Sequence, residues 1–148
     1  MIQNDLIIKV HGSQSKISNI DDVEGEIKIY KAGKYIGEIG FVITDYQISV
    51  DTLTIEDTFI RLGYGRLLIN LVKGLSRLLN KPIVLYSLIN SYPFYVKMGF
   101  KKLKKIHDEK KKIIIVMFKS KNEPKIDDHD MIWLPESMRR KKELRIEL

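Results

Sequence analysis

The period of the apolar residues first changes near Gly65, and that change constrains the order of elements this chain can fold into. Before it the runs are short and rich in β-branched residues: Leu6 to Val10, Glu26 to Lys31, Tyr35 to Ile43 and Ile48 to Ile55. Two of the gaps, Lys31-Ala32-Gly33-Lys34 and Thr44-Asp45-Tyr46-Gln47, have hairpin length, so the last three runs predict an antiparallel meander. Inside the fourth run the alternation slips, because Ile48 and Val50 share one parity while Leu53 and Ile55 share the other. A bulge near Asp51 restores a common face. From Gly65 to Asn80, Leu68, Leu71, Val72, Leu75, Leu78 and Leu79 recur at three- and four-residue spacing, which predicts an amphipathic helix stopped by Asn80-Lys81-Pro82.

Ile83 to Leu88 then reads as a strand buried in a sheet, and Ser91 to Met98 as a short helix entered through Pro93 and closed by Gly99. Leu103 to Ile106 and Ile113 to Phe118 are two more strands, joined by the hairpin His107-Asp108-Glu109-Lys110. The expected fold class is therefore mixed α/β (α+β). A chain of 148 residues buries one sizeable core, so residues 1–120 are expected to form a single domain. In 121–148 the composition changes: Met131-Ile132-Trp133-Leu134 is an isolated apolar patch, and Pro135 opens a basic helix. Such a patch is expected to dock on the body or on a second copy of the chain, as a homodimer.

The absence of cysteine excludes disulfides, thiolate metal sites and a cysteine nucleophile, and fits a reducing, cytoplasmic setting. The start, MIQNDLIIKVHG, has neither a basic opening nor a small-residue cleavage site and reads as a strand; no apolar run reaches the roughly 20 residues of a membrane span. His11, His107 and His129 are scattered without metal-ligand spacing, so no metal is expected. The net charge of +7 is uneven, since Lys97 to Lys121 holds ten lysines against Asp108 and Glu109. Lysines beside a hairpin ordinarily form a solvated face or protect an edge, and they also attract RNA or an acidic protein. A nucleic-acid module is the weaker reading, because no recognition motif accompanies them.

Between the fourth strand and the long helix lies Arg61-Leu62-Gly63-Tyr64-Gly65-Arg66. Glycines let a backbone turn tightly, and the first amides of a helix are unpaired donors at the positive end of its dipole, a seat for phosphate. The segment lacks the third glycine of a dinucleotide fingerprint and the Gly-Lys-Ser/Thr ending of a P-loop, which disfavours nucleotide hydrolysis. About thirty residues on comes Ser91-Tyr92-Pro93-Phe94-Tyr95-Val96-Lys97-Met98-Gly99-Phe100. The glycine turn at a helix start, a buried strand, F-Y-x-x-x-G-F and a closing hairpin together resemble the GNAT superfamily of N-acetyltransferases, from about Glu26 to Phe118.

The resemblance implies a mostly antiparallel central sheet with flanking helices, splayed between its fourth and fifth strands, and acetyl-CoA as cosubstrate. It implies that backbone amides of Gly63, Tyr64, Gly65 and Arg66 hold the coenzyme A pyrophosphate, with Arg61 or Arg66 adding charge. The pantetheine arm would run beside Leu53, Thr54 and Ile55 on one side and Tyr86 and Ser87 on the other, with Asn90 bonding the arm or capping the short helix. Tyr95 matches the tyrosine that protonates the departing thiolate, a task for a phenol. Glu56 is the candidate base for the amine, with Asp57 and Asp51 as rivals.

Two features depart from the family pattern. Ile60 stands where Gln or Arg is common, with Arg61 one place late, and only about fifteen residues separate Val10 from Glu26, where the family usually carries two helices. The implied acceptor groove is open and suits a macromolecule. The implied activity is acetyl transfer from acetyl-CoA to a primary amine by direct attack in a ternary complex. The alternatives are a toxin-like enzyme acting on aminoacyl-tRNA and a non-catalytic acyl-CoA-binding module.

Overall fold

A computed structural model describes residues 6–14, 22–107, 113–117, 129–140 and Ile146. The strands are β1 (Leu6–Gln14), β2 (Val23–Lys31), β3 (Lys34–Ile43), β4 (Ile48–Ile55), β5 (Ile83–Ser87), β6 (Lys101–His107), β7 (Ile113–Met117) and β8 (His129–Trp133). The helices are α1 (Tyr64–Leu79) and α2 (Tyr92–Lys97). The meander is present, and β1 joins it by pairing with β2 from Leu6↔Lys31 to Gln14↔Val23. The expected hairpin His107-Asp108-Glu109-Lys110 has its tip outside the described residues, but β6 and β7 pair antiparallel as that hairpin requires.

Ala32 and Gly33 both take positive φ, 51° and 76°, the backbone of a two-residue turn whose twist matches its strands. In β4 the register passes from Gly40↔Thr52 to Phe41↔Val50, so Asp51 is the extra residue. The expected bulge is real, and it puts Leu53 and Ile55 on the face of Ile39 and Gly37, where Val50 already meets Phe41. That face is the core. Ile27, Ile29, Ile39 and Phe41 of the meander pack with Leu68, Ile69 and Val72 of α1 and with Tyr92 and Tyr95 of α2.

The sheet order is β1-β2-β3-β4-β5-β8-β6-β7. The apolar patch at Met131 forms β8, which lies between β5 and β6 and pairs antiparallel with both. Alternation along β8 then divides its side chains between two faces. Met131 and Trp133 enter the core under the helices, while Ile132 and Leu134 build a smaller cluster on the opposite face with Val84, Leu103, Met138 and Ile146. Beyond β8, Pro135 precedes a single 3-10 turn, Glu136–Met138; the basic stretch expected to be helical lies mostly outside the described residues.

Candidate active site

β4 and β5 run parallel but pair only from Ile48↔Ile83 to Val50↔Leu85. Past the Asp51 bulge, Thr52 to Ile55 pair with β3 alone, and Tyr86 and Ser87 pair with β8 alone. The strands therefore part, and each turns a ladder-free edge of backbone donors and acceptors toward the gap. On one side stand Leu53, Thr54 and Ile55; on the other stand Tyr86 and Ser87. Large apolar side chains lie exposed on the segments bounding the gap: Ile60 and Leu62 after β4, Tyr86 within β5, and Leu88 and Ile89 after it. Of these only Tyr86 and Ile60 were named from the sequence, because exposure of a loop residue leaves no periodic signal.

At the head of the gap the chain makes a 3-10 turn, Asp57–Phe59, and then enters α1. Phe59 and Tyr64 meet edge to face at 6.1 Å and bracket the turn between them. Inside it Arg61 has φ 66°, a left-handed conformation that costs an L-residue about 1–2 kcal/mol. Gly63, the N-cap, has φ 90° and open space where a Cβ would stand. No side chain caps this end, and its first turn holds no acidic residue, so the leading amides, those of Tyr64, Gly65 and Arg66 among them, present uncapped donors. Gly65 has a packing reason as well: a Cβ there would touch the Phe94 ring at 3.4 Å. Ile60 is extended and exposed, and Arg61 and Arg66 are exposed.

Phe94 ties α2 to the turn. The next residue, Tyr95, is buried, its ring edge-on to Phe94 at 5.2 Å and to Phe100 at 5.6 Å. Burial pushes its phenol pKa up, so it keeps its proton at neutral pH. No described residue hydrogen-bonds the hydroxyl. Asn90 is exposed and sits one residue before Ser91, the N-cap of α2, where no side chain caps the helix.

Glu56 is exposed at the end of β4, its backbone N–H donating to Ile36 O at 2.8 Å, and Asp57 beside it is also exposed. Nearby is a pair the sequence did not single out. The Tyr35 hydroxyl donates to Glu38 Oε1, and Thr54 hydrogen-bonds Tyr35. Burial, then the bond to Glu38 and its charge, push the Tyr35 phenol up to about 12, with Glu56 close enough to add to the shift. The bulge residue Asp51 has its carboxyl pKa raised by burial and by Glu24. Among the described residues no three of His, Cys, Asp or Glu gather as metal ligands, and no helix is long and apolar enough to cross a membrane.

No protein-family model matches the sequence, and no curated protein does either. Solved structures match in fold. Tetrahymena GCN5 is similar with TM-score 0.56 and 21% identity, covering 75% of this chain and 68% of that one. Ard1 from Thermoplasma volcanium gives 0.54 and 16%, covering 74% and 69%. The N-acetyltransferase YlbP of Bacillus subtilis, solved in complex with coenzyme A, gives 0.53 and 20%, covering 75% and 68%. The chain has the GNAT fold, with the mixed, mostly antiparallel sheet, flanking helices and splayed fourth and fifth strands that the motifs imply.

Proposed function

We propose that the protein is an acyl-CoA-dependent N-acyltransferase that moves an acetyl group from acetyl-CoA to a primary amine. The observation that carries this reading is the opening between β4 and β5, with uncapped helix amides following β4 and a buried, protonated tyrosine on α2, whose Phe94 packs against the same glycine turn. An amide-containing arm can pair with the strand edge at Leu53–Ile55, and an acyl chain would cover the exposed Leu62, Leu88 and Ile89. The amides of Gly63, Tyr64, Gly65 and Arg66 would hold the pyrophosphate, with Arg61 and Arg66 beside it.

In the reaction the neutral amine attacks the thioester carbonyl carbon, a C–N bond forms and the C–S bond breaks. Tyr95 gives its proton to the departing sulfur, and a carboxylate, Glu56 in this reading, takes one from the amine. The products are an amide and coenzyme A. Every described side chain of β1 from Leu6 to Ser13 is exposed, which leaves that flank of the sheet open and favours a macromolecular acceptor, protein or RNA, over a small amine.

Because the chain has no cysteine, coenzyme A release can be followed with a thiol reagent free of protein background. Supplied with acetyl-CoA and a panel of lysine peptides, polyamines and aminoacyl-tRNA, the protein is expected to release thiol in step with acetylated product. Saturable acetyl-CoA binding with no transfer to any amine class would leave the non-catalytic acyl-CoA module in its place.

A further inference from the structure

The opposite end of α1 carries a second feature that the proposed reaction does not use. Trp133 of β8 lies under three cations: Lys73 Nζ is 4.9 Å from its ring centre, the Arg77 guanidinium 5.2 Å and that of Arg139 5.7 Å. Lys73 is buried and donates to Met98 O, and burial, then Arg77 and Arg139, lower its pKa. No carboxylate among the described residues pairs with these cations. An aromatic ring has two faces and attracts a cation by about 0.5–2 kcal/mol, so it rewards one or two such neighbours while a third adds repulsion.

Against the same ring lies a cavity of about 320 Å³, lined by Trp133, Arg139, Lys101, Gly99, Ile132 and Leu134. Its size suits a small molecule and not a polymer. Arg139 spends its Nε on Leu134 O at 3.1 Å, which fixes the guanidinium at the wall and leaves its remaining N–H groups for a ligand. Lys101, exposed on the first residue of β6, supplies a fourth charge. Lys73 is nine residues beyond Tyr64, about 14 Å along the helix at 1.5 Å per residue, so this cluster is separate from the glycine turn.

We propose that Arg139, Lys101 and Trp133, with Lys73 and Arg77 behind them, form a second anion site that takes a small phosphate-bearing molecule. The charges of Arg139 and Lys101 at the cavity wall match a multiply charged anion, and a guanidinium fork binds phosphate oxygens two at a time.

Trp133 is the sole tryptophan, so its fluorescence reports on this site directly. The full chain would be titrated with inorganic pyrophosphate at constant ionic strength, with chloride as the control. A saturable change in emission is expected, weakened at least tenfold in both Arg139→Gln and Lys101→Gln and retained in Gly65→Leu. Lys101 is exposed, so its variant reads out binding even where Arg139→Gln loosens the tail. No saturable change, an equal response to chloride, undiminished affinity in Lys101→Gln, or loss of the signal in Gly65→Leu would each overturn the proposal.

Discussion

The two halves of the sheet are built by different rules. From β1 to β4 each strand pairs with the one before it, and the outermost, β1, keeps every described side chain exposed. From β5 onward the order is β5-β8-β6-β7, with a distant segment threaded into the centre and buried on both faces. The first half is local and open; the second is held together by long-range contacts. The proposed site lies where they part. The first half contributes the free edge at Leu53–Ile55, the glycine turn and Glu56, and the second contributes Tyr86, Ser87 and, on α2, Tyr95.

If the second half supplies the rigid chemical group, its mutations fall hardest on rate. Tyr95→Phe keeps the ring and its contacts with Phe94 and Phe100 while removing the hydroxyl. Acetyl transfer is expected to slow by about 100- to 10,000-fold, roughly 3 to 5 kcal/mol of barrier, with acetyl-CoA affinity nearly unchanged. A rate within about threefold of wild type would make Tyr95 a core aromatic only. The next effect is on stability. Met131 is fully buried in β8, so Met131→Ala is expected to cost about 2–5 kcal/mol in denaturant unfolding, and a smaller loss would show that β8 is not integral to the core.

Tyr35, in the first half, gives a pH signature. Its folded pKa of about 12 lies above the ordinary 10, so the folded chain holds this proton longer than the unfolded one. The stability it contributes is complete below pH 10 and is lost as pH rises toward 12. Tyrosinate absorbance should show a late-titrating component, shared with the buried Tyr95, that Tyr35→Phe reduces. The smallest effect belongs to β1: Val10 is 71% exposed, and Val10→Thr is expected to change stability by no more than about 0.5 kcal/mol. A larger loss would mean that the open flank is covered in solution.

The same division governs what the sequence disclosed. Hairpins, the helix α1 and even the Asp51 bulge follow from local periodicity, whereas β1 runs on to Gln14 and β2 begins at Val23, beyond the apolar runs at Leu6 to Val10 and Glu26 to Lys31, because pairing with each other extends both. Met131-Ile132-Trp133-Leu134 announced burial but not its place, because the pairing of β8 with β5 and β6 depends on partners more than 25 residues away that leave no local mark. Within the proposed site, Gly63, Gly65 and Tyr95 were legible as a motif. The Tyr35–Glu38 pair, the Phe59–Tyr64 contact and the cations around Trp133 were not, since each joins side chains that meet only after folding.

The central claim is that the splayed strands and the glycine turn hold acetyl-CoA, and calorimetric titration of acetyl-CoA into the wild-type chain and two variants tests it most directly. The wild type is expected to bind one equivalent saturably. Gly63→Val, which forces a β-branched residue to φ 90° where no side chain otherwise intrudes, should weaken binding at least tenfold. Tyr95→Phe should bind as the wild type does. No heat and no thermal stabilisation of the wild type at saturating acetyl-CoA would contradict the account, leaving the GNAT fold without its cosubstrate.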